Sequence, residues 1–174
     1  LYSAGEESIA SMPNIKVGKF ITQVILQNIE VEDIDLSNAT DLRSAWVQNN
    51  PALQKLDLSY STIWGQGDKE TEGNGTYGSS LMVLGCPILK EIKLPEKNEL
   101  KAYRIDIECL DALETFDMSN VKMVAELSIG DLNKDFNLVY PELTIFYSED
   151  GYAGTYFACS ENTFYRESTQ AFLK

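Results

Sequence analysis

The 174-residue chain predicts a β-dominated solenoid of about four to five stacked parallel coils with a C-terminal cap. Three observations predict it. An apolar phrase, with a second and third apolar residue three and five places after the first, restarts every 10 to 13 residues. Two such steps make a unit of 22 to 24 residues. Clusters of Asn, Pro, Gly, Asp and Ser separate the phrases, where a coil must bend.

The phrases run in order along the chain. Residues 1–20 are expected to form the N-terminal end or a junction to an upstream part. The first phrases are Ile21-Val24-Leu26, Val31-Ile34-Leu36, Leu42-Ala45-Val47 and Leu53-Leu56-Leu58. After residue 80 follow Leu89-Ile92-Leu94, Leu100-Tyr103-Ile105, Leu113-Phe116-Met118 and Val124-Leu127-Ile129. In each phrase the last two apolar residues alternate with polar ones, the period of a strand. A strand this short buries nothing alone, so successive units must stack to close one core and satisfy their backbone groups. The half-step of about eleven residues gives every coil two such segments, on opposite walls. A sandwich of short strands is the competing arrangement.

The solenoid is assigned to residues 21–130, interrupted by an inserted loop at 64–80, "WGQGDKETEGNGTYGSS", where five glycines replace the periodicity. Residues 131–174 are assigned to the cap. There "FNLVYPELTIFYS" reads as one or two strands, and "TFYRESTQAFLK" as a short amphipathic helix.

Composition narrows the function. Twenty-seven acidic against fourteen basic residues give a net charge of −13. So negative a surface repels phosphate backbones and anionic lipid, which argues against nucleic-acid or membrane-surface partners. No apolar run reaches the length of a membrane-spanning helix. The chain has no histidine, which removes the usual general base and metal ligand and every histidine-activated nucleophile. Three cysteines leave at least one unpaired, against a disulfide scaffold. Cys86 and Cys109, one coil apart, are expected to stack as small buried groups, free or bonded. No cofactor is expected, and no metal, since no D-x-D-x-D-G loop occurs.

Stacking sets equivalent outward residues side by side, and these rows supply the candidate binding residues. One wall is expected to present Asp35, Asp57, Lys93 and Asp117. The other should present Trp46, Met82, Arg104 and Ser128, with Trp46 a stacking platform for a sugar ring or a protein. Trp64 and Tyr77 flank the inserted loop and are candidates if that loop binds. The densest carboxylates, in "EVEDID" and "DIECLD", raise the alternative of paired acids for glycoside cleavage. Alternation makes them ordinary strand-surface charge.

A unit of 22 to 24 residues fits both a leucine-rich repeat and a parallel β-helix. "LDLSY", "IDLSN" and "FDMSN", together with "NNPALQKLDLS" and "CPILKEIKLPE", resemble bacterial surface leucine-rich repeat proteins of the BspA-like type. The usual asparagine three places after the last leucine is replaced by Ala39, Ser61, Lys97 and Val121. The resemblance covers residues 21–130. It implies a leucine-rich repeat solenoid, and a non-catalytic adhesion or binding module of a secreted or cell-surface protein, whose partner is a protein or a glycan. The competing class is a carbohydrate-active enzyme of parallel β-helix type using paired carboxylates.

Overall fold

Each apolar phrase forms a short strand whose inward residues meet those of the next coil. The computed structural model describes residues 10–66, 79–97, 99–133, 136–139, 144–145 and 156–159. Their strands are parallel throughout and stack into a β-solenoid of about five turns. Among the described residues there is no helix.

The first wall is one seven-stranded sheet. Its strands are β2 (Gln23–Gln27), β4 (Ser44–Gln48), β6 (Ser80–Leu84), β8 (Leu100–Leu110), β10 (Val121–Leu132) and β12 (Thr144–Ile145). They lie in chain order, and β13 (Tyr156–Cys159) also pairs with β10. The second wall consists of three separate ribbons. β1 (Ala10–Lys16) pairs with β3 (Ile29–Asp35), β5 (Lys55–Asp57) with β7 (Glu91–Lys93), and β9 (Thr115–Asp117) with β11 (Asn137–Val139).

The core follows from this register. On the first wall Val24, Ala45, Leu81, Ile105 and Leu127 stack in one buried row, and Leu26, Val47, Val83, Ile107 and Ile129 in the next. Opposite them Ile34, Leu56, Ile92, Phe116 and Leu138 are buried from the second wall. Each inward side chain therefore has partners in the coils above and below, which is how short strands bury a continuous core.

Coil spacing absorbs the insertion. Trp46 and Met82 pair in register although 36 positions apart, whereas Met82 to Asp106 spans 24 and Asp106 to Ser128 spans 22. The surplus chain leaves after Gln66 and returns at Ser79, and both ends are fixed. The Gly65 amide donates to Ser79 Oγ at 2.7 Å, and the Lys101 amide to the Gly65 carbonyl at 2.7 Å. The expected loop 64–80 is thus shorter: Trp64, Gly65, Ser79 and Ser80 belong to the buried body.

The two corners differ in chemistry over most coils, although Gly65 and Glu99 also take positive φ after second-wall strands. After the first-wall strands, Asn28, Asn49, Gly85, Cys109 and Asp131 all have φ between 48° and 63°. These five residues form a row in the left-handed region, which glycine, Asn and Asp enter most readily. The following residues, Ile29, Asn50, Cys86, Leu110 and Leu132, are buried. Asn50 Oδ1 accepts from the amides of Val31, Ala52 and Leu53 at 3.1–3.2 Å and so anchors two coils. After the second-wall strands, Asp35, Asp57 and Asp117 accept from the amides of Ser37, Ser59 and Ser119 at 2.8–3.0 Å. These side-chain turns are the physical content of the recurring D-x-S motif.

Two placements differ from expectation. Tyr103 is 43% exposed and Ala102 takes the inward place. Tyr103 and Arg104 are consecutive outward residues, because the inward positions step from Ala102 to Ile105. Ile21 is also exposed rather than inward. Of the segment assigned to the cap, the described part adds β12 and β13 to the first-wall sheet and pairs β11 with β9. The helix expected near the C-terminus lies outside the described residues. At the other end β1 already belongs to the coil stack.

Candidate functional site

The first wall carries the most elaborate outward surface. Along one row, Ile25, Trp46, Met82, Asp106 and Ser128 sit side by side in register. Arg104, expected in this row, instead pairs with Ser80, and Asp106 takes its place. The cause is the outward Tyr103-Arg104 pair, which shifts the pattern of "LKAYRI" by two positions. Trp46 is half-buried between Ile25 and Met82, and its Nε1 is buried without a hydrogen-bond partner among the described residues.

A charged cluster continues the row. Arg104 Nη2 lies 2.7 Å from Asp106 Oδ2, and Nη1 lies 3.7 Å from Glu126 Oε2. Tyr103 donates its hydroxyl to Glu126 Oε1 at 3.0 Å, and Ser128 donates to Glu108 Oε1 at 2.6 Å. Asp106 is 4% exposed, and its Oδ1 has no hydrogen-bond partner among the described residues. Burial pushes this carboxyl above the usual aspartate range; the Arg104 guanidinium offsets part of the rise, and the neighbouring Glu108 carboxylate adds to it. A buried carboxyl raised above its ordinary range, with other carboxyls within reach, is a feature that acid–base sites share. The sequence had marked Asp106 and Glu108 as part of a dense acidic group. It missed Glu126 and Ser128 as their neighbours, because that adjacency depends on the β8–β10 register.

The second wall presents a mixed-charge lattice. Lys55 bridges Asp57 at 3.2 Å and Glu91 at 3.3 Å, Lys93 reaches Glu91 at 3.3 Å, and Lys16 reaches Asp35 at 3.3 Å. Asp57 and Lys93 lie in register, as expected. Asp35 sits below its ordinary pKa because the Ser37 hydrogen bonds favour the charged form. Burial raises Asp57, but the hydrogen bonds from Ser59 and the Lys55 ammonium outweigh it and leave the carboxyl lowered. Asp35, Asp57 and Asp117 are thus corner-forming residues as well as outward ones.

The remaining candidates separate. Trp64 has no exposed surface and is a core residue, not a binding residue at the mouth of a loop. Ser61 Oγ accepts from its amide at 2.9 Å, which turns the indole inward, and Nε1 reaches the Ser80 carbonyl at 3.4 Å. Tyr77 lies outside the described residues. Cys86 and Cys109 do not stack as two buried groups: Cys86 is buried, whereas Cys109 is exposed at the left-handed corner, in the place Gly85 holds one coil earlier. Both are free thiols. Burial pushes Cys86 up to about 11, which suits a packing role.

Two shallow grooves lie elsewhere. One, of about 610 Å³, follows the corner lined by Gly18, Lys19, Ser37, Asn38, Thr40, Asp41 and Thr62. The other, of about 480 Å³, crosses the second wall between β7 and β9. Among the described residues no group of three or more His, Cys, Asp or Glu side chains is arranged to hold a metal ion. No helix there is long and apolar enough to cross a membrane. Comparison of the chain with protein-family models, with curated proteins and with solved structures yields no match.

Proposed function

We propose that this chain is a non-catalytic binding module of a secreted or cell-surface protein, presenting a rigid repeat surface to a protein or a glycan. The resemblance of its D-x-S and N-N-P or G-C-P phrases to BspA-like leucine-rich repeat proteins supports that setting. The observation that carries the reading is the strip Ile25–Trp46–Met82. Parallel pairing sets these three side chains about 4.8 Å apart from strand to strand. A row of half-buried aromatic and aliphatic groups on a fixed sheet loses little side-chain entropy on contact, which favours recognition. Parallel screening on a glycan array and by pull-down tests it, with wild type set against Trp46→Ala. Loss of retained partners in the variant supports the reading; identical retention refutes it.

A second reading, carbohydrate cleavage by paired carboxylates, draws on Asp106, a buried acid beside Glu108 and Glu126. Release of reducing ends from polysaccharides, abolished by Asp106→Asn, would favour it over binding alone.

A further inference from the structure

The second wall is not one sheet. Consecutive coils are closed by ladder bonds between β5 and β7 and again between β9 and β11, but none joins β7 to β9. The closed steps also carry flanking backbone bonds, Lys90 amide to Gln54 carbonyl and Asn137 amide to Glu114 carbonyl. On this wall the backbone bonds between these two coils, among the described residues, lie near the corners, from Ala112 to Pro87 and from Leu100 to Asn120. The 480 Å³ groove lies over this open step, so the facing edges of Glu91–Lys93 and Thr115–Asp117 border it without ladder partners.

Its walls define what fits. Buried Ile92 and Leu94 border it, and Ser59, Thr115 and Asn120 supply neutral donors and acceptors. Lys93 and Glu91 are paired with each other, and Asp117 already holds the Ser119 amide. Two lysines, Lys90 and Lys93, face four carboxylates, Glu91, Glu96, Glu114 and Asp117, a balance that disfavours anions. Unladdered peptide groups beside hydroxyl and amide side chains, with apolar patches between, match a ligand that carries donors and acceptors in alternation on a partly apolar ring. The volume lies within the range of small-ligand sites, about 300–1,000 Å³.

We infer that the groove over the open β7–β9 step is a subsite for a neutral saccharide. This rests on the binding reading above and adds to it a glycan subsite, at a position distinct from the Trp46 strip and the partner held there.

The test is an array of neutral and anionic oligosaccharides, followed by an NMR titration of labelled protein with the neutral oligosaccharide best retained. Amide shifts are expected at Glu91–Lys93 and Thr115–Asp117. Thr115→Arg, which fills the groove from an exposed position, and Lys93→Ala should each weaken binding by about tenfold or more, a loss of about 1.4 kcal/mol. Both variants should keep the wild-type urea midpoint, and Glu32→Gln, at an exposed β3 position outside the groove, should leave this affinity unchanged. Shifts confined to the Trp46 strip, with Thr115→Arg harmless, would overturn the groove and leave the wall reading standing. Retention of anionic glycans alone, or of none, would also overturn it, while the pull-down still decides whether a protein partner exists.

Discussion

The two walls of this solenoid are made from the same apolar phrase yet differ in continuity. The first wall closes into one seven-stranded sheet; the second breaks into three two-stranded ribbons. The inward residues are equally buried on both sides: Leu81 and Ile107 on one wall, Leu56 and Phe116 on the other, all at 0%. Core packing therefore does not require a complete ladder. Strand length accompanies the difference: β5, β7, β9 and β11 have three residues each, against five to twelve for β2, β4, β6, β8 and β10, although β1 and β3 have seven. A three-residue strand has few backbone groups to offer, and corner bonds can take over its coupling.

If the core is indifferent to the ladder, the largest effects should be the same on both walls. Leu81→Ala and Leu56→Ala should each cost about 2–5 kcal/mol through the cavity left in the stack. Urea denaturation of both variants checks this; a Leu56→Ala loss below half that of Leu81→Ala would show that the broken wall is looser inside. The next effect probes the corner that leaves the first wall. Gly85→Ala combines φ 63° with an added Cβ 2.7 Å from Asn49 Oδ1, and should cost about 1–2 kcal/mol. An unchanged midpoint would mean that the corner relaxes freely.

Two outward aspartates sharpen the comparison further, because their pKa values move in opposite directions. Asp106 on the first wall is raised, so the native state holds its proton more tightly than the unfolded chain. Its contribution is fully present below the ordinary aspartate value and is lost as pH rises to the raised one. Asp57 on the second wall is lowered, so its contribution is present above the ordinary value and is lost as pH falls through the lowered one. At neutral pH, Asp106→Asn should therefore stabilise by about 1 kcal/mol, by relieving a buried acceptor without a donor. Asp57→Asn should destabilise by about 0.5–1.5 kcal/mol, as the Ser59 turn weakens. Urea midpoints from pH 3 to 7 distinguish the two, and parallel profiles would refute the opposed environments. The smallest effect belongs to the insertion. Replacing residues 67–78 with two glycines should shift stability by less than about 0.5 kcal/mol, because Gly65 and Ser79 already meet. A large loss in the same assay would show that the segment supports the walls.

Much of the fold was legible because its cause is local. The +3 and +5 spacing fixes which residues face inward, and Leu36, Leu58, Leu94 and Met118 all reached the core. The failures came where spacing alone could not choose. In "LKAYRI" an aromatic at the expected place looked inward, but the consecutive outward pair Tyr103-Arg104 moved the phrase by two residues. That shift also hid the Asp106–Ser128 neighbourhood, which exists only once β8 and β10 are in register. Trp64 reads as loop because glycines follow it, and its inward place depends on bonds to Ser61 and Ser80. The D-x-S aspartates stand in the sequence as outward binding candidates, although their spacing to serine is itself a turn signal.

The corner chemistry has a consequence for folding fidelity. Since the same apolar phrase recurs at every half-coil, hydrophobic pattern alone would tolerate a chain that slipped by eleven residues and swapped its faces. Such a slip would set Trp46 where Asp35 or Asp57 accepts a serine amide, and Tyr60 where Asn49 holds a positive φ. The unlike corners thus act as a key that only one threading fits, and they remove an ambiguity that the repeat itself creates.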